Sequence, residues 1–304
     1  MADTAPDFVS TAARAREMLS SEAVERIADY LANAQTDSGG FCDRAGRPDL
    51  YYTVFGLAGR IALGRAIPRF ENLRSFLEDR RDVYALSFVE LVSLIRCRRF
   101  LEGTDGTPPI AREQSERLSE VLYRYRSRDG GFCHETRDAD EGTLYATFLA
   151  EQAFRDLDSA WDGKRYTMAL LDARKTPDGG YANHGGAPHG VATVTASAMA
   201  LLVRYGERDS ARRSLEFLDS LSCPDGGYRA TPSTTIPDLL STATALYGRS
   251  LCERSLKQSV KPAMASFVEQ LWSDAGGFRG HTLDPIPDVE YTFYALLALG
   301  SLYG

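Results

Sequence analysis

A Gly-Gly-aromatic triplet occurs five times in this chain: Gly39-Gly40-Phe41, Gly130-Gly131-Phe132, Gly179-Gly180-Tyr181, Gly226-Gly227-Tyr228 and Gly276-Gly277-Phe278. The last three intervals are 47 to 50 residues and the first is 91, nearly twice as long. A sixth unit that has lost its glycines fits the gap over residues 66–100, where RRDVYALSFVELVSLIR carries its remnant. A period of this length is the mark of a repeat architecture in which each unit is one supersecondary element. The whole of 1–304 is therefore expected to form one domain of six repeats of about 50 residues.

Each unit has the same grammar. An amphipathic stretch comes first, such as EAVERIADYLANAQ or SARRSLEFLDSL, with apolar residues three and four apart, as on a helix with one buried stripe. The glycines then stop the helix, since they tolerate positive φ. After a polar loop comes a run with few charges: YYTVFGLAGRIALG, TLYATFLAEQAF, VATVTASAMALLV, LLSTATALYG and EYTFYALLALGSLYG. Such helices are expected to be buried on most sides. Alternating charged-faced and nearly neutral helices describe two concentric rings, an α/α toroid of six helical hairpins in the all-α class. The apolar final helix suits closure onto the first unit, whereas an open solenoid needs polar caps.

Pro48-Asp49, Pro237-Asp238 and Pro287-Asp288 begin three of the inner helices, which makes their aspartates candidate N-caps. Capping is compatible with lining a shared pocket, because all inner helices start at one end of the ring. The net charge of −7 argues against a broad nucleic-acid surface. No segment approaches the roughly 18 apolar residues of a membrane span, and the start of the chain has no signal-peptide pattern. Five scattered cysteines without a CxxC fit a reducing, cytoplasmic setting.

GGFCDRAGRPDLYYTVFGLAGRIALG and GGFRGHTLDPIPDVEYTFYALLALGSLYG resemble the repeats of protein prenyltransferase β subunits and, more distantly, squalene-hopene-type cyclases. The resemblance covers nearly the whole chain. It implies an isoprenoid-handling enzyme that takes a prenyl diphosphate or terpenoid into the central cavity, and it brings in a separate helical partner subunit as an option. The family's zinc site, an Asp-x-Cys followed by a His, falls here on Asp238-Leu239-Leu240 with Tyr291, or across the closure on Asp288-Val289-Glu290 with Tyr52. Neither set supplies the thiolate and imidazole that zinc favours. No cofactor is expected, apart from magnesium if the substrate is a diphosphate.

The basic pair that clamps the family's diphosphate falls on Pro232 and Thr235, whereas His189 matches the family's diphosphate-contacting histidine. Asp138-Ala139-Asp140-Glu141 approaches the acid motif of the cyclases, which makes Asp140 a candidate proton donor; a solvated loop ahead of a helix explains the same residues. Asp140 and His189 are thus the catalytic candidates, and Asp49, Tyr52, Tyr145, Asp238, Asp288 and Tyr291 the substrate-binding ones. The inner-helix aromatics Tyr51, Phe55, Tyr84, Phe88, Phe148, Phe293 and Tyr294 either face a cavity, where they would stabilise a cation, or pack as core. Glu90 stands in an apolar run with no evident partner. A non-catalytic toroid that binds a lipid or a protein remains the alternative to an enzyme.

Overall fold

The computed structural model describes residues 7–159, 161–224, 226–252 and 256–303. A short helix α1 (Phe8–Ala13) and a 3-10 turn precede six hairpins. The hairpins are α2 (Ser21–Asn33) with α3 (Leu50–Ala62), α4 (Phe70–Glu78) with α5 (Phe88–Leu101), and α6 (Arg112–Tyr123) with α7 (Leu144–Asp156). They continue with α8 (Lys164–Arg174) and α9 (Ala192–Arg204), α10 (Arg208–Arg213) plus α11 (Leu215–Ser220) with α12 (Leu239–Leu251), and α13 (Lys261–Gln270) with α14 (Val289–Tyr303). The stretch SARRSLEFLDSL, expected as one helix, is two short ones meeting at Ser214. Among the described residues the β structure is limited to isolated bridges.

The second helices of the hairpins form the inner ring. Each packs on the next in the order α3, α5, α7, α9, α12, α14, and α14 packs on α3. The ring is closed. Closure extends to the outer layer, where Arg26 of α2 donates to the Asp274 carbonyl at 2.6 Å. Gly276 has φ +91° and lies so close to α2 that a Cβ would sit 2.5 Å from the Arg26 carbonyl oxygen. Glycine is required there twice over, by its conformation and by contact with backbone.

The aromatic residue of each triplet is the wedge between outer and inner helix: Phe41, Phe132, Tyr181, Tyr228 and Phe278 are all buried. Each such burial contributes about 1.5–3 kcal/mol. A threonine on the first turn of the paired inner helix fixes each wedge. Thr53, Thr147, Thr195, Thr242 and Thr292 accept the N–H of Phe41, Phe132, Tyr181, Tyr228 and Phe278 at 2.9–3.1 Å. The pin satisfies a backbone donor that the wedge carries out of reach of water.

Asp49, Asp238 and Asp288 are N-caps, accepting from the amides of Tyr52, Ser241 and Tyr291. Thr143 caps α7 in the same way. In the second repeat Ser87 and Glu90 form a capping box, so Glu90 is an exposed cap with a partner rather than a buried acid. The caps gather all inner-helix starts at one end of the ring.

Candidate active site

A cavity of about 420 Å³ opens at this end, on the seam between the first and last repeats. It is lined by Arg44, Tyr52, His281, Leu283, Asp284, Pro285, Asp288, Glu290 and Tyr291. Arg44, from the loop of the first repeat, spans the seam. Its Nε donates to Asp288 Oδ2 at 2.7 Å, its Nη2 to Asp284 Oδ2 at 2.7 Å, and its guanidinium lies 5.5 Å from the Tyr291 ring centroid. Burial pushes the Asp284 carboxyl up, but the bonds from Arg44 prevail and hold it below the usual range. At Asp288 burial wins and the carboxyl is raised.

Glu290 sits one step further in, on the first turn of α14. Its Oε1 accepts the Tyr51 hydroxyl at 2.6 Å. A helix N-terminus favours negative charge, yet burial acts the other way and pushes this carboxyl to about 7, with Asp288 adding to the rise against the Tyr51 bond. A half-buried acid is thereby kept about half protonated near neutrality. Tyr51, Tyr145 and Tyr294 surround it. All three are raised by burial first and by one another or the Glu290 charge second, Tyr145 to about 12. They keep some accessible surface. Tyr51 meets Phe55 edge to face at 4.9 Å between centroids, and Phe55 meets Tyr294 at 5.4 Å.

Of the residues expected from sequence, Tyr52, Asp288 and Tyr291 line the cavity and Tyr145 joins the tyrosine cluster. Asp238 is adjacent: burial raises its carboxyl, the Ser241 bonds oppose, and His281 is close enough to lower it. Asp49 is at the same level but is engaged as a cap. Asp140 and His189 do not converge with them. Asp140 is 81% exposed and paired with Arg128 at 2.7 Å, on a segment whose backbone bonds back to the turn after α6. His189 is 58% exposed and lies 3.3 Å from Asp178, which also accepts from the Gly180 and Gly190 amides of its own turn. Both stand on the loop rim, outside the cavity lining. Arg44 was not among the expected site residues, Tyr51 entered only among the inner-helix aromatics, and Glu290 only as a poor zinc-register match. The available signal was a lone carboxylate in VEYTFYALLALG, otherwise free of charge.

The seam residues do not fit a zinc ion. Asp288 uses one oxygen for the Tyr291 amide and the other for Arg44, so a guanidinium already holds the place a cation would take. Of the other donors in the lining, Asp284 is also held by Arg44, His281 Nδ1 accepts the Leu283 amide, and Glu290 and Tyr52 add no thiolate. Among the described residues no group of three metal-ligating side chains occurs elsewhere.

The model of the prenyltransferase alpha-alpha toroid domain matches residues 14–74, 100–205 and 189–303. The chain belongs to that family. No curated protein matches it in sequence. Among solved structures it is similar to Candida albicans protein geranylgeranyltransferase-I complexed with GGPP, with TM-score 0.68, 13% identity and coverage of 92% and 90% of the two chains. It is also similar to a variant of the type II terpene cyclase MstE from Scytonema in complex with geranylgeranyl dihydroxybenzoate, with TM-score 0.62, 11% identity and coverage of 95% and 97%. An α-1,6-mannanase from Salegentibacter sp. shares the architecture at TM-score 0.61 and 14% identity over 92% and 98%. At these identities the likeness is one of fold, and chemistry must be argued from the site.

Proposed function

We propose that this toroid is an isoprenoid-handling enzyme that receives an apolar prenyl or terpenoid chain inside the ring and protonates it from Glu290, without zinc. The observation that carries the proposal is the half-buried Glu290 carboxyl, raised to about 7 and held by Tyr51 among Tyr145, Tyr294 and Phe55. Burial retains the proton on about half of the molecules at neutral pH, and the hydrogen bond fixes the carboxyl's direction.

In the proposed reaction the Glu290 O–H bond breaks as its proton joins the less substituted carbon of an alkene. The π pair becomes the new C–H bond, and the cation is left on the more substituted carbon. The faces of the surrounding rings stabilise that charge. A neighbouring alkene then closes a C–C bond onto it, and loss of a proton from the final cation to the Glu290 carboxylate or to water restores neutrality. Magnesium has no part in this scheme, because protonation of an alkene by Glu290 needs no diphosphate leaving group. The overall fold offers Asp140 a solvated ion pair and no such burial.

The test is turnover of linear terpenes and geranylgeranylated aromatic acids by the wild type and Glu290→Gln. The amide keeps the shape and lacks the acid, so kcat should fall by roughly 10²–10⁴-fold while binding stays within about threefold. Undiminished cyclisation by the variant would remove Glu290 from the mechanism. Binding without turnover by the wild type would make the protein a lipid-binding toroid.

A further inference from the structure

A second cavity, of about 550 Å³, lies in the cleft between α2 of the first repeat and α13 of the last, over the end of α14. It shares the seam with the mouth but none of its residues. Glu290 stands on the first turn of α14, whereas Leu299 and Tyr303 line the cleft about 14 and 20 Å further along at roughly 1.5 Å per residue. The floor is apolar, for Val268, Phe278 and Leu299 are all buried. Met18 and Tyr303 line the same cleft and are 47% and 41% exposed. An open apolar patch with a polar rim marks a binding surface, and the volume is that of a small-ligand pocket.

The charges around the cleft say what fits it. Arg26 is engaged: it donates to the Asp274 carbonyl at 2.6 Å, and its guanidinium lies 5.2 Å from the Trp272 ring centroid. Lys261 is buried, with its ammonium 5.4 Å from the Tyr303 centroid. Glu22 and Glu269 face each other across the seam, one on α2 and one on α13, and neither has an ion-pair partner among the described residues. The cleft therefore combines an apolar bed with two carboxylates whose charge no side chain answers.

We propose that this cleft is a second binding site, separate from the mouth, for an amphiphilic amine: an apolar ring or short chain that carries one ammonium group. The apolar body lies on Val268, Phe278 and Leu299, and the ammonium reaches Glu22 and Glu269. A neutral body of the same shape leaves the carboxylates to water, and an anionic one is repelled by them. The walls come from the first and last repeats, so the complete site exists only in the closed ring. Binding there favours closure by mass action.

The experiment is calorimetric titration of naphthylmethylamine, naphthylmethanol and naphthoate at neutral pH. The proteins are the wild type, the double variant Glu22→Gln/Glu269→Gln, and Ala265→Leu, which adds bulk to the cleft wall. Circular dichroism checks folding, and Ala23→Leu on the facing wall replaces Ala265→Leu if that variant unfolds. The wild type should bind the amine about tenfold more tightly than the alcohol, and the acid more weakly than either. The double variant should bring amine and alcohol within about twofold of each other, and the bulkier wall should weaken both by about tenfold or more. No binding of the amine, or an amine bound no more tightly than the alcohol, would overturn the proposal. Equal affinity of the amine for the wild type and the filled cleft would also overturn it, by placing the ligand elsewhere. No residue of the Glu290 site is altered, so none of these outcomes bears on the acid.

Discussion

Arg44 and Asp288 are 244 positions apart in sequence and joined at 2.7 Å, Nε to Oδ2, across the only seam that the chain must close without a covalent link. Asp288 is 5% exposed, so removing its partner leaves a buried carboxylate unpaired. Arg44→Met should cost about 1–2 kcal/mol, discounted because the arginine itself is partly solvated. Arg47→Met, which breaks an exposed pair with Asp43 three residues along the same loop, should stay within about 0.5 kcal/mol. Urea unfolding of both variants measures the difference; equal costs would mean that the clasp does not stabilise closure.

The toroid was legible because its glycines, wedges and caps answer local demands of the backbone. Gly276 needs positive φ, and Asp288 caps the helix that follows it, wherever the chain then goes. The site was less legible. Glu290 becomes a half-buried acid only when Tyr51, 239 positions away, is brought over it by closure. Motif matching drew Asp140 and His189 forward, but burial decides between an acid and a solvated ion pair, and no motif encodes burial. The threonine pins were visible as a recurring Thr 12 to 15 residues after each aromatic, a spacing that acquires meaning only once the hydrogen bond is seen.

Those pins carry a measurable share of stability. Thr147 Oγ1 accepts the Phe132 amide at 3.0 Å and donates to the Thr143 carbonyl at 2.9 Å, all within the core. Thr147→Val preserves the shape and orphans a buried N–H, at an expected cost of about 1–3 kcal/mol. Thr136→Val, on the exposed loop, should change little. A pin variant as stable as the wild type would show that water takes over the amide.

Asp140→Asn and His189→Ala test the rim against the seam. Both side chains are mostly exposed; Asp140 holds only a screened ion pair with Arg128, and His189 a single contact with Asp178. Each variant should unfold within about 0.5 kcal/mol of the wild type and turn over at its rate. Loss of cyclisation in Asp140→Asn alone would return the acid role to the loop. Weakened binding of a prenyl diphosphate by His189→Ala alone would restore a diphosphate site at the rim.

Glu290 also makes stability depend on pH. Its carboxyl is raised from an ordinary 4.5 to about 7, so the folded chain holds the proton more tightly than the unfolded one. The contribution is complete below pH 4.5 and is lost as pH rises through 7, about 3 kcal/mol in full at about 1.4 kcal/mol per unit. Asp156, raised by burial to about 6, has the same sign but finishes earlier. Between about pH 5.5 and 8.5 the wild type should lose about 2 kcal/mol through Glu290 and less than about 1 kcal/mol through Asp156. Glu290→Gln cannot titrate and should retain only the Asp156 share, which makes it more stable than the wild type relative to their difference at pH 5.5. Urea unfolding of both proteins at the two pH values measures the slopes. Identical slopes would mean that Glu290 is solvated and charged in the fold, and an acid so exposed could not protonate an alkene.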